Sequence, residues 1–338
     1  MNKSIKKLFT ISLISLIIIL VVGCGNKNVD NKNNVAQQGN KKAVKLAYIT
    51  PGLDNPFWKT MSEGIHQQAD KVGIELKDFS SNNDANTQMK NVQDVITQKY
   101  DGILLTPTDS ASAPAVLKAA QTANIPVILV GIGTDSGEYL AKSLSTEEQG
   151  GYEAGKYLAD AIKKKGINNG TVAEISISLA RDNGRLRDMG FQKAMKEAGL
   201  KVVDIKQAQK YTRQESVQMA QDLITAHPDL AGIFANFDEA SLGALKAIET
   251  AGKSDKIILV GYDGSPESAQ ALKEGKLDAI SMQQTLYEGR KVVDAMYNFL
   301  TNKVSPPKLI EIPTLLVTRD NINQLQNEIY KNVFTQPK

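Results

Sequence analysis

The stretch AGIFANFDEASLGALKAIETAGKSDKIILVGYDG, residues 231–264, decides the fold. Two short apolar runs, Ala231–Ala235 and Lys256–Gly261, bound a longer segment of helical character. Each run gives way to a mix of polar and aromatic residues: Asn236, Phe237, Asp238 and Glu239 after the first, Tyr262, Asp263 and Gly264 after the second. Short apolar runs alternating with longer amphipathic segments predict a parallel α/β sheet. The same alternation extends outward from here. Further runs lie at Val44–Ile49, Gly102–Thr106, Pro126–Val130 and Thr171–Ile177. Between them, apolar stripes at helical spacing run through Met61, Ile65, Ala69 and Val72, through Met89, Val92 and Ile96, and through Val217, Ala220, Leu223 and Ile224. The pattern pauses in the stretch 131–149 and restarts with a helix at Gly150, so two doubly wound lobes are expected rather than one continuous sheet. Near the end, Ala279–Gln283 reads as a strand, Leu286–Leu300 as a helix and Leu309–Thr318 as a last extended segment. A chain crossing back between lobes there forms a multi-strand hinge.

In open α/β sheets, solutes bind outside the carboxyl ends of the strands. After the first strand comes Asp54-Asn55-Pro56-Phe57-Trp58, where Pro56 suits the first turn of a helix and Asn55 its cap. Phe57 and the chain's only tryptophan, Trp58, put two large rings at the same edge. Arg185 and Arg187, two of six arginines in the chain, open a later helix and offer rigid forked donors.

With these residues in view, the chain resembles the ribose/galactose-type periplasmic binding proteins, the type I substrate-binding proteins of ABC importers. The resemblance spans most of residues 44–318 and rests on DNPFW, GILLTPTDS, ANIPVI, LRDMGFQKAM, LITAHPDLAGIFA, DEASLGALKA, AGKSDK and VGYDGSPE. It implies two lobes that close over a solute, a hinge motion without chemistry. It also implies that Asn55 donates to the solute and that Phe57 and Trp58 stack on it. Tyr211 stands as the aromatic of the second lobe, Arg187 as a forked donor, Asp263 as an acceptor and Gln283 as a hinge amide. Three departures stand out. Where sugar binders carry Asp and often Arg after the third strand, this chain has Gly131-Ile132. Phe237 replaces the asparagine before DE, leaving Asn236 one position away. Glu147-Glu148 replaces the Asp-Asn pair at the first lobe junction. A solute with one polar edge and a less hydroxylated opposite edge is therefore expected, a sugar or a sugar-like molecule, with a nucleoside-like solute as the alternative.

At the other end of the chain, Lys3, Lys6 and Lys7 precede an apolar stretch, Leu8–Val22, that closes on Val21-Val22-Gly23-Cys24. That stretch is about 15 residues long against the ~20 needed to span hydrocarbon, and its small-residue exit is that of a signal peptide. The sequence matches a lipobox, which makes Cys24, the only cysteine, the acylated N-terminus of the mature protein. Two acyl chains would hold it stably on the membrane. Residues 25–42 are rich in Asn and Lys and are expected to be a disordered tether. The expected organisation is a signal peptide (1–23), a tether from lipidated Cys24 (24–42), an N-terminal lobe (43–146 and 284–310) and a C-terminal lobe (147–283 and 311–338). The protein is placed on the outer face of a bacterial cell membrane, as a monomer that hands its solute to the transmembrane subunits of an ABC permease.

Other function classes find little support. Net charge is +3 without a basic run, which argues against nucleic acid. Gly131-Ile132-Gly133 follows a strand, but Gly137 comes one residue too late for a dinucleotide loop. The chain has two histidines, His66 and His227, and lacks G-x-S-x-G. No cluster has metal-ligand spacing, so neither a cofactor nor a metal is expected. An export signal occupies the place where a repressor of this fold would carry its helix-turn-helix. A sensory lipoprotein of the same fold, signalling to a chemoreceptor or a histidine kinase, remains the alternative to transport.

Overall fold

The computed structural model describes residues 43–134, 136–167 and 170–336, and Cys24, the signal segment and the tether lie outside them. The first part of the chain alternates strands and helices: β1 (Lys45–Thr50), α1 (Pro56–Val72), β2 (Glu75–Ser80), α2 (Ala85–Thr97), β3 (Gly102–Leu105), α3 (Ala113–Thr122), β4 (Val127–Val130) and β5 (Ala141–Ser145). The second part repeats the scheme with α4 (Glu147–Lys164), β6 (Thr171–Ser176), α5 (Asp182–Ala198), β7 (Lys201–Gln207), α6 (Arg213–Ala226), β8 (Leu230–Ala235), α7 (Asp238–Thr250), β9 (Ile258–Asp263), α8 (Pro266–Lys273) and β10 (Ala279–Met282). The chain ends with α9 (Thr285–Asn302), β11 (Leu309–Ile312), β12 (Leu315–Thr318) and α10 (Gln326–Asn332).

These elements form two six-stranded sheets, ordered β2-β1-β3-β4-β5-β11 and β7-β6-β8-β9-β10-β12. Among the described strands the pairing is parallel except for antiparallel β10–β12. Both faces of each sheet are covered. In β1, Leu46 and Tyr48 enter one apolar cluster while Ala47 and Ile49 enter another on the opposite face. In β9, Ile258, Val260 and Tyr262 face one cluster and Leu259 the other. This two-sided burial is why the central strands read as continuous apolar runs.

The chain passes between lobes three times. It leaves the first sheet after β5, because α4 packs on β9 and β10. It returns after β10, because α9 packs on α1 and β4. It crosses again between β11 and β12 at Pro313. The last helix is set beside these crossings. Ile329, Val333 and Phe334 join the core of the second lobe. Arg290 of α9 donates to the Lys331 carbonyl at 2.8 Å and to Asn332 Oδ1 at 3.0 Å. Asn332 donates in turn to Gln284 Oε1 at 3.0 Å, and Gln284 donates to the Pro313 carbonyl at 3.0 Å.

The structure differs from the sequence reading in three places. The stretch 131–149 contains β5, and α4 begins at Glu147 rather than Gly150. Lys142 and Ser143 interrupt the apolar run there; the buried Ser143 hydroxyl donates to Glu288 of α9. Strands β2 and β7 are half-exposed edges whose alternation gave no apolar run. The last extended segment is two strands, one in each sheet.

Candidate functional site

A cavity of about 340 Å³ lies between the carboxyl ends of the two sheets. The first lobe contributes Asp54–Trp58 and Asn83; the second contributes residues from the ends of β6, β8 and β9 and from the loop before α6. Asn55 caps α1, its Oδ1 accepting from the Phe57 amide at 2.9 Å, which leaves its NH₂ free to serve the cavity. Phe57 and Trp58 meet edge to face, ring centroids 4.7 Å apart. Trp58 is seated on Gly131, whose backbone has φ +69; a Cβ there would lie 3.1 Å from the indole. The absent side chain after β4 is thus what makes room for the tryptophan.

Arg187 is the centre of the second lobe's half and is 2% exposed. Its Nε and Nη2 donate to Glu147 at 2.7 and 3.3 Å, and its Nη1 donates to Asp263 Oδ1 at 3.1 Å and to the Asn236 carbonyl at 2.7 Å. The guanidinium also lies over the Tyr262 ring, 4.1 Å from its centroid, and the Tyr262 hydroxyl donates to Glu147. Burial pushes the Glu147 carboxyl up against the pull of Arg187. Burial also opposes the charge of Arg187, but Glu147 and Asp263 outweigh it and hold the guanidinium protonated. Asp263 adopts φ +74, a left-handed conformation costly for a non-glycine residue. It is fixed there by Arg187, by Gln283 Nε2 at 2.6 Å and by the Asp238 amide at 3.2 Å.

Of the residues singled out from sequence, Asn55, Phe57, Trp58, Arg187, Tyr211, Phe237 and Asp263 line the cavity. Asn236 and Gln283 do not. Asn236 is fully buried, its side chain held by Glu174, Ser176 and the Ile177 amide, and it serves the site through its carbonyl. Gln283 holds Asp263 in place. Tyr211, also in a left-handed conformation, meets Phe237 edge to face and carries Arg181 4.4 Å above its ring.

Sequence reasoning missed Arg181 and Asn183 as lining residues; Asp238, placed at the end of a strand from sequence but given no role, also lines the cavity. The signal for Asn183 was present: it precedes Arg187 by four positions, one helical turn, so both look the same way. Its Oδ1 is buried without a hydrogen-bond partner. Asp238 accepts from the Ser268 hydroxyl at 2.6 Å, and burial pushes its carboxyl up to about 7.

The family described as periplasmic binding protein domain matches residues 46–303. The chain belongs to that family. Among curated relatives of this periplasmic binding protein, the ribose import binding protein of Escherichia coli (strain K12) is 35% identical over 249 residues, 74% of this chain and 82% of the relative. The ribose import binding protein of Bacillus subtilis (strain 168) is 29% identical over 319 residues, 94% of this chain and 100% of the relative. A solved ABC transporter periplasmic solute binding protein from Actinobacillus succinogenes 130z with bound D-allose is similar at a TM-score of 0.77. It shares 25% identity, with 83% of this chain and 99% of that one covered. As a member of this family the protein binds a solute and is not an enzyme. Among the described residues, no helix is long and apolar enough to cross a membrane, and no acidic, histidine or cysteine cluster could hold a metal ion.

Proposed function

We propose that this extracytoplasmic binding protein captures a monosaccharide, or a close sugar-like molecule, by lobe closure and delivers it to an ABC importer. The observation that carries the reading is the pairing across the cavity. Phe57 and Trp58 offer ring faces from one lobe, and Arg187 and Asp263 offer charged hydrogen-bonding groups from the other. A sugar has apolar C–H faces and a hydroxylated edge, and unpaired buried hydroxyls would each cost about 1–3 kcal/mol. The kinship with ribose import binding proteins supports the same solute class.

In this reading Asn55, Phe57, Trp58, Arg187, Tyr211, Phe237 and Asp263 meet the solute, and Asn236 and Gln283 position them. Gly131 and Ile132 bring no polar side chain to the first lobe, so the solute turns its less hydroxylated side toward Trp58. Cys24 anchors the protein to the membrane through its acyl chains, and the lobes divide near residues 146, 284 and 313; the third boundary lies past the expected 310–311, because β11 (Leu309–Ile312) pairs with β5 of the first lobe. Isothermal titration with D-ribose, D-allose, L-arabinose, myo-inositol and uridine tests the proposal. Saturable binding of at least one sugar or polyol is expected, and binding of uridine alone would overturn the sugar assignment.

A further inference from the structure

Beyond the cavity, the lobes are joined directly through two consecutive residues at the start of α5. The Asp182 carboxylate accepts from the Gly133 amide at 2.9 Å, and the Asp182 amide donates to Ser110 Oγ at 3.1 Å. Arg181 Nη2 donates to the Thr108 carbonyl at 2.7 Å. Donors and acceptors come from opposite lobes in every case, from the loops after β3 and β4 on one side and from α5 on the other. Asp182 and Ser110 are buried, 5% and 6% exposed. Neither they nor Gly133 belong to the cavity lining.

We propose that Asp182, Ser110 and Gly133 form a closing latch that sets how long the solute stays bound without touching it. The proposal rests on the reading of the protein as a two-lobe solute binder. The Asp182 amide is one of the helix-start donors that lack a partner within α5, and its carboxylate sits where the helix dipole favours negative charge. Closure supplies both groups with partners on the facing lobe, and opening breaks all three bonds together. Around a bound solute these bonds complete the closure, and they must break before the solute leaves. They therefore act on departure rather than arrival, and the apparent affinity scales with the closed fraction they maintain. The bonds join protein groups only, so they favour closure before any solute arrives.

Gly133 makes the contact specific. A Cβ there would lie 2.2 Å from Asp182 Oδ2, so Gly133→Ala would push the carboxylate out of reach of the Gly133 amide. Stopped-flow measurement of D-ribose association and dissociation, followed by Trp58 fluorescence, separates the two rates. Asp182→Ala and Gly133→Ala should each raise the dissociation rate about tenfold, as loss of a charge-assisted hydrogen bond predicts, with association within twofold. Asp182→Asn, which keeps an acceptor oxygen, should recover much of the loss. The double variant Gly133→Ala/Asp182→Ala should be no worse than either single variant, because the collision partner is gone. Multiplying effects in the double variant, dissociation within twofold of wild type for Asp182→Ala, or an effect on association instead, would overturn the latch. Hydrogen exchange without sugar provides an arm that does not depend on the solute. The Gly133 amide should exchange at least tenfold more slowly in wild type than in Asp182→Ala, and equal rates would overturn the latch. If wild type gives no signal with D-ribose or the other sugars, the sugar reading is what fails, and the latch stands or falls on hydrogen exchange.

Discussion

Replacing Arg187 by alanine should cost the protein far more stability than the loss of a solute contact alone would. The side chain makes four hydrogen bonds, three of them to the carboxylates of Glu147 and Asp263, inside a site where it is 2% exposed. Arg187→Ala leaves those two carboxylates buried, near each other and without a counter-charge. Breaking a buried ion pair by removing one partner costs about 3–5 kcal/mol. For a folded part of this size that corresponds to a fall of roughly 5–8 °C in melting temperature. The pH dependence carries a sign. Without Arg187, burial and the nearby Asp263 charge raise the Glu147 carboxyl further above its unfolded value. Groups raised in this way contribute stability below the unfolded pKa and lose it as pH rises, so the deficit should be smaller at pH 5 than at pH 8. Glu147→Gln placed in the Arg187→Ala background should restore part of the loss, since it removes one of the two stranded charges. Urea unfolding of the single and double variants at both pH values provides the assay. A deficit below about 1 kcal/mol, or one that grows on acidification, would refute the buried-triad account and leave Arg187 as a solute contact alone.

Asp238 and Glu288 are both pushed up to about 7 by burial, so their contribution to stability is present at low pH and lost as pH rises through 7. Wild type should lose on the order of 2–4 kcal/mol between pH 5 and pH 8 from these groups, and Asp238→Asn with Glu288→Gln should flatten that slope in urea unfolding. Gly131→Asp should lower the melting temperature and weaken D-ribose binding in titration, because it places a side chain at φ +69 and a charge against the Trp58 ring. Cys24→Ser should release the protein from the membrane fraction; full retention after the change would refute the lipid anchor.

Most of the frame was legible in the sequence, and the reason lies in the two-sided burial of the sheets. Strands such as β8 and β9 have every position buried, so their apolar runs stand out whatever the context. Strand β5 was not legible because Lys142 and Ser143 break its apolar run, the buried Ser143 being satisfied by Glu288 from a distant part of the chain, and β2 and β7 were missed because an edge buries one face only. The site divided in the same way. Residues at strand ends and helix starts, such as Asn55 and Asp263, were found by position alone. Whether a polar residue faces the cavity or supports one that does depends on its partners across the lobe, which local pattern does not carry. Asn236 and Gln283 were therefore read as contacts, although neither lines the cavity and their side chains bond Glu174, Ser176 and Asp263. Arg187 was read as a free donor although most of its bonding capacity goes to Glu147, Asp263 and the Asn236 carbonyl.

The position of α10 has a consequence for how such a protein can change over generations. Its Asn332 is tied to Gln284 at one crossing, and Gln284 is tied to Pro313 at another. The helix itself is held by Ile329, Val333 and Phe334 in the second lobe's core, while Asn332 reaches the crossings. None of these residues lines the cavity. A substitution at Asn332 therefore changes the stiffness of the joint while the cavity keeps its residues, so solute preference and the ease of lobe movement can be altered by separate substitutions.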